Sequence, residues 1–315
     1  MLDCQARAPL TAAADNQLAA PLRFTPRFLV GRVLGEGAYG VVEICHERRS
    51  WNSPRGSPKV QLSPAPGVYD SNDRVRLVME LCESGDLLSL LLSKTKNLNK
   101  SVEKPRRRTS ESSWPSLKKL SSLCRSRFRN STGERPTGLP EHLAAGIFWQ
   151  LVTAVQHCHS QRVVHRDIKL ENVLLTSASP ASKPSETDTC PFTVKLADFG
   201  TATILKPGID FTMGNVGSAA YKAPEVSQDS YHGTLADVYS LGVVLYALLT
   251  SAFPNSGASK GTVTHRNPQD FIDNELTVHL SSGVKQLIAA MLTVDPAKRP
   301  TCSQVLEHPW VHTGR

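Results

Sequence analysis

Apolar positions along this 315-residue chain follow two patterns, one replacing the other toward the middle of the sequence. In the first part, "FLVGRVLGEGAYGVVEICHE" places apolar residues on both sides of a glycine-rich turn, which predicts two strands. "VRLVMELC" predicts a further strand, and "GDLLSLLLSK" opens a helix. From residue 139 onward helical spacing dominates. "PEHLAAGIFWQLVTAVQHCHSQ" sets Leu143, Ile147, Leu151 and Val155 four residues apart, with Pro140 where a helix can begin. Further helices are expected at "DVYSLGVVLYALLT" and "SGVKQLIAAMLTV", with short strands and polar turns before them.

Two stretches carry neither pattern. Residues 1–26 are rich in alanine and proline and are expected to be disordered. Residues 94–138 are rich in serine, lysine and arginine and form a linker or loop excursion. The chain therefore divides into a β-rich part over 27–93, an insert over 94–138 and a helical part over 139–315.

Composition sharpens this division. The formal net charge is +8. Residues 94–138 hold 13 Lys/Arg against 3 Asp/Glu, so the basicity belongs to the insert and the remainder is slightly acidic. One localised patch without a folded motif argues against nucleic-acid binding. The apolar run "LGVVLYALLTSAF" is short for a bilayer and reads as a buried helix, so no transmembrane segment is expected. The N-terminal residues lack the layout of a secretory signal, which makes a cytoplasmic or nuclear location the expectation. Seven cysteines without paired spacing signal neither a disulfide framework nor a zinc site.

Three motifs carry chemistry. "GEGAYGVV" places Gly35, Gly37 and Gly40 in a GxGxxG array, whose backbone N–H groups can approach phosphate oxygens. A dinucleotide-binding turn of this spacing leads into a helix, whereas "VVEICHE" continues as a strand. In "VVHRDIKLENVLL", Asp167 can accept the proton of an attacking hydroxyl, Lys169 can neutralise charge on a transferred phosphoryl group, and Asn172 can hold a divalent cation. "KLADFG" supplies Asp198 as a second metal-binding oxygen donor.

Together these motifs make the sequence resemble a eukaryotic protein kinase domain from about residue 28 to 311. The resemblance implies a two-lobed α+β fold, ATP and Mg2+ as cofactors, and protein hydroxyls as substrates. By the same resemblance Asp167 is the base, Lys169 the lysine typical of serine/threonine kinases, and Asn172 and Asp198 the metal ligands. Met79, Glu80 and Cys82 take the hinge positions, with the backbones of Glu80 and Cys82 facing adenine, Asp86 near the ribose, and Val42 and Leu174 on either side of the base. Ser218 stands where a threonine is usual. Glu225 pairs with Arg299, and Asp237 braces the catalytic loop. "HRDIKLEN" with "DPAKRPTCSQVLEHPWV" is similar to the calmodulin-dependent and AMP-activated group. In that group Glu171 faces an arginine upstream of the acceptor, which implies basic substrates. Arg166 is available to receive a phosphate, with Thr212 as the nearby switch residue.

The pattern breaks between Val42 and Val75. Lys59 is the one lysine in that interval and the candidate for the ATP-binding lysine that the family carries on its third strand, yet it stands among Pro54, Pro58, Pro64 and Pro66, residues that strand interiors exclude. No glutamate lies between Lys59 and Val75, and the interval is too short for the strand end, helix and strand that the family places there. The small lobe is thus truncated, without the helix that completes a lysine–glutamate pair. A transcript that skips this coding segment, a catalytically impaired pseudokinase, or completion by another element would each account for the gap. The basic insert contains "RRRTS", in which Ser110 resembles a basophilic kinase target, and an amphipathic run around Trp114, Leu117, Leu120 and Phe128 that suits calmodulin or another acidic partner.

Overall fold

The computed structural model describes residues 28–37, 40–47, 67–71, 74–99, 138–177, 190–254, 272 and 274–314, with the backbone alone for those within 28–76 and 94–99. The chain divides at Leu81/Cys82 into two compact units. Residues 1–26, Lys59 and the insert from residue 100 to 137 lie outside the described residues.

In the first unit, the glycine-rich sequence forms an antiparallel pair, β1 (Phe28–Gly37) and β2 (Gly40–Glu47). Gly37 faces Gly40 and Gly35 faces Val42, so all three glycines stand at the hairpin end. The register is irregular between Val30 and Gly35, a local deviation of the kind that bends a strand. A second antiparallel pair joins β3 (Gly67–Ser71) to β4 (Arg74–Val78). β3 departs from the sequence expectation, which found only breakers there; pairing with "RVRLV" makes a strand of five residues whose own pattern is too short to declare itself. β4 also stops at Val78, short of the expected Cys82.

The second unit begins with α1 (Leu87–Asn99), which runs past the boundary expected after residue 93. Its core is built on α2 (Glu141–Ser160) and α3 (Gly233–Thr250). α2 buries Ile147, Leu151 and Val155, as the four-residue spacing predicts, and starts directly after Pro140. α3 is apolar on every side and buried along almost its whole length, and it starts four residues before the expected Asp237. It is the one described helix long and apolar enough to cross a membrane, and it is enclosed by the protein. Its last carbonyls do not go unmet: the amides of Gly138 and Leu139 donate to Leu249 and Leu248 at 3.2 and 2.7 Å.

Around these helices run β5 (Val163–Val164), β6 (Val173–Ser177), β7 (Phe192–Leu196), β8 (Thr203–Ile204), β9 (Phe211–Thr212) and β10 (Tyr231–His232). They pair antiparallel as β5 with β8, β6 with β7 and β9 with β10. α4 (Ser282–Met291) buries Val284, Leu287, Ile288 and Met291, the i, i+3, i+4, i+7 stripe. α5 (Cys302–Glu307) opens with a reciprocal cap between Thr301 and Gln304, and α6 (Pro309–His312) follows. Glu141 ties three elements together, accepting from the Ser281 amide, the Ser281 hydroxyl and Trp310 Nε1 at 2.7, 2.7 and 2.8 Å. Mixed strands and helices of this kind are the α+β class that the sequence implied.

Candidate active site

The loop between β5 and β6 gathers the chemistry. Its backbone is fixed from below by Asp237 near the start of α3, whose two carboxylate oxygens accept the amides of His165 and Arg166 at 2.9 Å each. His159, on the buried stripe of α2, adds a third contact to the same carboxylate at 2.9 Å. Asp237 is 1% exposed, so this bracing is shielded from water. His165 is fully buried. Its Nε2 lies 3.0 Å from the Ala197 carbonyl, and its Nδ1 accepts the Asp167 amide at 3.3 Å, which sets the Nε2–H tautomer.

On this frame the Asp167 carboxylate receives three donors. Lys169 Nζ lies 2.5 Å from Oδ2, Asn172 Nδ2 donates to the same oxygen at 3.3 Å, and the Ser218 amide donates to Oδ1 at 2.8 Å. Asn172 Nδ2 also holds the Asp167 carbonyl at 2.9 Å, and Lys169 reaches the Ser218 hydroxyl at 3.2 Å. Burial alone would raise the Asp167 pKa; the hydrogen bonds from Lys169 and Ser218 with the lysine charge outweigh it and hold the carboxyl below its ordinary range. The result is an ionised, oriented base beside a cation.

Gly217 makes this approach feasible. Its φ of +92° is glycine territory, and a Cβ there would stand 2.3 Å from the Arg166 carbonyl oxygen. Ser218 follows directly, so its amide reaches Asp167 only because residue 217 has no side chain.

The residues suited to a divalent cation fit that role by their free oxygens. Asn172 is buried, and its Nδ2 is turned to Asp167, leaving Oδ1 without a partner among the described residues. Asp198 is exposed, left-handed at φ 61°, and uses Oδ1 to cap the turn at Phe199–Thr201 through Gly200 N at 3.2 Å, which leaves Oδ2 without a partner among the described residues. An amide oxygen and a carboxylate oxygen are the hard donors that magnesium takes.

A family model described as "Protein kinase domain" matches residues 119–311. The chain belongs to the protein kinase domain family. Among the relatives of this chain, Calcium-dependent protein kinase 13 of Arabidopsis thaliana is 30% identical over 341 residues, covering 96% of this chain and 54% of the relative. Serine/threonine-protein kinase PEPKR2 of Arabidopsis thaliana is 29% identical, covering 90% and 53%. Serine/threonine-protein kinase SIK1 of Mus musculus is 38% identical over 174 residues, covering 55% and 20%. The chain thus spans about half or less of the length of these curated relatives. The alignment to the first of them is longer than the 315 residues here, so that kinase has positions with no counterpart in this chain.

The remaining kinase residues separate into those the fold brings together and those it does not. Glu225 and Arg299 form a bidentate pair at 2.6 and 3.1 Å, with Arg299 at 0% side-chain exposure and also donating to the carbonyls of Leu235 and Thr293. Glu171, four residues beyond the base, accepts from the Tyr221 hydroxyl at 3.2 Å, and burial pushes its pKa up. Burial, followed by the Glu171 charge, also raises Tyr221 well above the usual phenol range, so Tyr221 stays a donor. Asp86 is 1% exposed and caps α1, accepting the Ser89 amide at 2.7 Å and the Ser89 hydroxyl at 3.0 Å. Leu174 bridges Asp86 from β6 and is half-buried, and Cys82 is half-buried. In the first unit Met79 and Glu80 are exposed, and Gly35, Gly37, Gly40 and Val42 are set by the β1–β2 hairpin. Thr212 is half-buried in β9, and Arg166 donates to the carbonyls of Thr201 and Met213 at 2.6 and 3.0 Å.

Sequence reasoning did not single out His159, Gly217 or Tyr221. His159 had a readable signal, because it continues the four-residue spacing of Ile147, Leu151 and Val155 and so falls on the buried face. The other two depend on which distant backbone they meet.

Proposed function

We propose that this chain is an active serine/threonine protein kinase that transfers the γ-phosphoryl group of ATP to protein hydroxyls and favours basic residues upstream of the acceptor. The observation that carries the reading is the Asp167 carboxylate, ionised and aimed by Lys169, Asn172 and Ser218. In the proposed reaction the acceptor hydroxyl gives its proton to Asp167 as its oxygen bonds to the γ-phosphorus, and the bond to the departing ADP breaks. Lys169 offsets negative charge gathering beside Asp167. Asn172 Oδ1 and Asp198 Oδ2 would hold magnesium, which when bound neutralises phosphate charge. The glycines of the β1–β2 hairpin are the proposed phosphate-covering backbone, with Glu80, Cys82 and Leu174 assigned to adenine.

Glu171 supports the basic preference: a half-buried carboxyl on the loop that carries the base has the chemistry to receive a guanidinium. Proteins that bind calmodulin or present acidic surfaces are the partners proposed for the insert at 94–138, on its charge and amphipathic spacing. A second reading, a pseudokinase that binds partners without turnover, is favoured by one observation: no glutamate follows Lys59 before Val75. The two readings separate when the purified chain is given Mg-ATP and serine peptides with arginine or alanine upstream. The kinase reading expects the arginine peptide to be phosphorylated faster and Asp167→Asn to abolish the product. Equal product from the chain and the variant would overturn it.

A further inference from the structure

Two arginines flank β5, Arg162 immediately before it and Arg166 two residues after it, and both have left-handed backbones, with φ of 60° and 67°. Non-glycine residues persist there where the surroundings fix them. Both guanidinium groups donate to main-chain carbonyls of one segment, and Arg166 also meets the Tyr231 side chain. Arg162 Nε donates to Leu205 at 3.2 Å, and its Nη2 donates to Lys206 at 2.6 Å and Ile209 at 2.8 Å. The Asp210 carboxylate is a weaker contact at 3.5 Å, with more than half of its surface exposed. Arg162 also accepts the Leu205 amide on its own carbonyl at 2.8 Å. Arg166 takes the two ends of the same segment, Thr201 and Met213. A planar fork of fixed donors suits this gathering of several carbonyls, where an ammonium would hold fewer.

The same region offers a phosphate little. The cavity bordered by Arg166, Lys222 and Tyr231 measures about 10 Å³, room for roughly one water. Lys222 is committed to Asn215, at 2.8 Å to Oδ1. The Thr212 methyl lies 3.2 Å from where a Cβ on Gly233 would stand, so the side chain is turned to the start of α3. Gly214, at φ 97°, carries no hydroxyl.

We propose that Arg162 and Arg166 are positioning residues that order segment 201–213 through its carbonyls, and that this order requires no phosphoryl group on Thr212. The ordering stands on the contacts alone; its effect on catalysis rests on the kinase reading above. The test is hydrogen exchange of the phosphatase-treated full chain, read by mass spectrometry. Arg162→Asn removes the fork and keeps a residue type that tolerates positive φ. It is expected to speed exchange across 203–212 at least tenfold while α3 exchanges as before, whereas Thr212→Val behaves as the parent. Where phosphorylation of peptides is measurable, Arg162→Asn raises the peptide KM several-fold with the ATP KM unchanged. Exchange within twofold of the parent in Arg162→Asn would overturn the proposal. So would loss of protection in Thr212→Val, or in the parent on removal of phosphate. These exchange results do not depend on turnover, so a chain without kinase activity leaves them decisive.

Discussion

Substituting Gly217 by alanine should separate a steric requirement from a merely conformational one. At φ +92° an L-residue costs about 1–2 kcal/mol, and the new Cβ would sit 2.3 Å from the Arg166 carbonyl oxygen, a distance no real contact tolerates. The obstacle is backbone, so residues 217 and 218 must move. The first interaction lost is the Ser218 amide on the ionised Asp167, a charged hydrogen bond worth roughly 1.5–3 kcal/mol. Together these terms disfavour the assembled site by about 2.5–5 kcal/mol, which corresponds to a loss of activity on the order of 10²- to 10⁴-fold. Gly208 is the control. It has φ +76°, yet a Cβ there meets nothing within 4 Å, so Gly208→Ala carries the conformational cost alone. The assay is initial-rate phosphorylation of a serine peptide at saturating Mg-ATP, with thermal unfolding recorded on the same samples. Gly217→Ala should lose at least 100-fold in kcat/KM, while Gly208→Ala stays within threefold. Equal activities for the two variants would refute the claim that residue 217 must be bare for Ser218 to reach Asp167.

Two further outcomes follow from the buried charges. Glu171 titrates above its ordinary value near 4.5 because burial opposes its ionisation. Its folded pKa exceeds its unfolded one, so it contributes stability at acidic pH that is lost as the pH rises through the folded value. Recognition of arginine runs the other way: KM for an arginine peptide should fall as the pH rises through that same window, and Glu171→Gln should flatten the profile. Glu225→Ala leaves the fully buried Arg299 without its carboxylate, at a cost of roughly 3–5 kcal/mol. Thermal unfolding of this variant should drop by about 10 °C; a drop under 2 °C would mean that Leu235, Thr293 and the Tyr239 ring suffice for the guanidinium.

What the sequence revealed depended on how local each interaction is. Asp167, Lys169 and Asn172 lie within six residues, and their short-range hydrogen bonds make the loop legible as a string. The helical face of α2 was legible because its spacing repeats over five turns. α3 began earlier than expected because Gly233 and Thr234 are not residues that advertise a helix, and its length comes from burial. α1 outran its expected end because "KTKNLN" has no apolar stripe to announce a helix. The capping role of Asp86 was not legible because an aspartate before a helix suits both a cap and a sugar hydroxyl, and its contacts with Ser89 show only in the fold. Gly217 and Arg162 act on backbone about 50 and 45 residues away in the chain, a distance at which composition and period carry no signal.

The most direct test of the account is to measure Mg-ATP binding and phosphoryl transfer side by side on the full chain and on Asp167→Asn. If the catalytic loop works as its geometry suggests, both proteins bind Mg-ATP with similar affinity and only the parent forms phosphopeptide. If both bind and neither forms product above the other, the chain is a nucleotide-binding member of its family without transfer, and the role given to Asp167 is wrong.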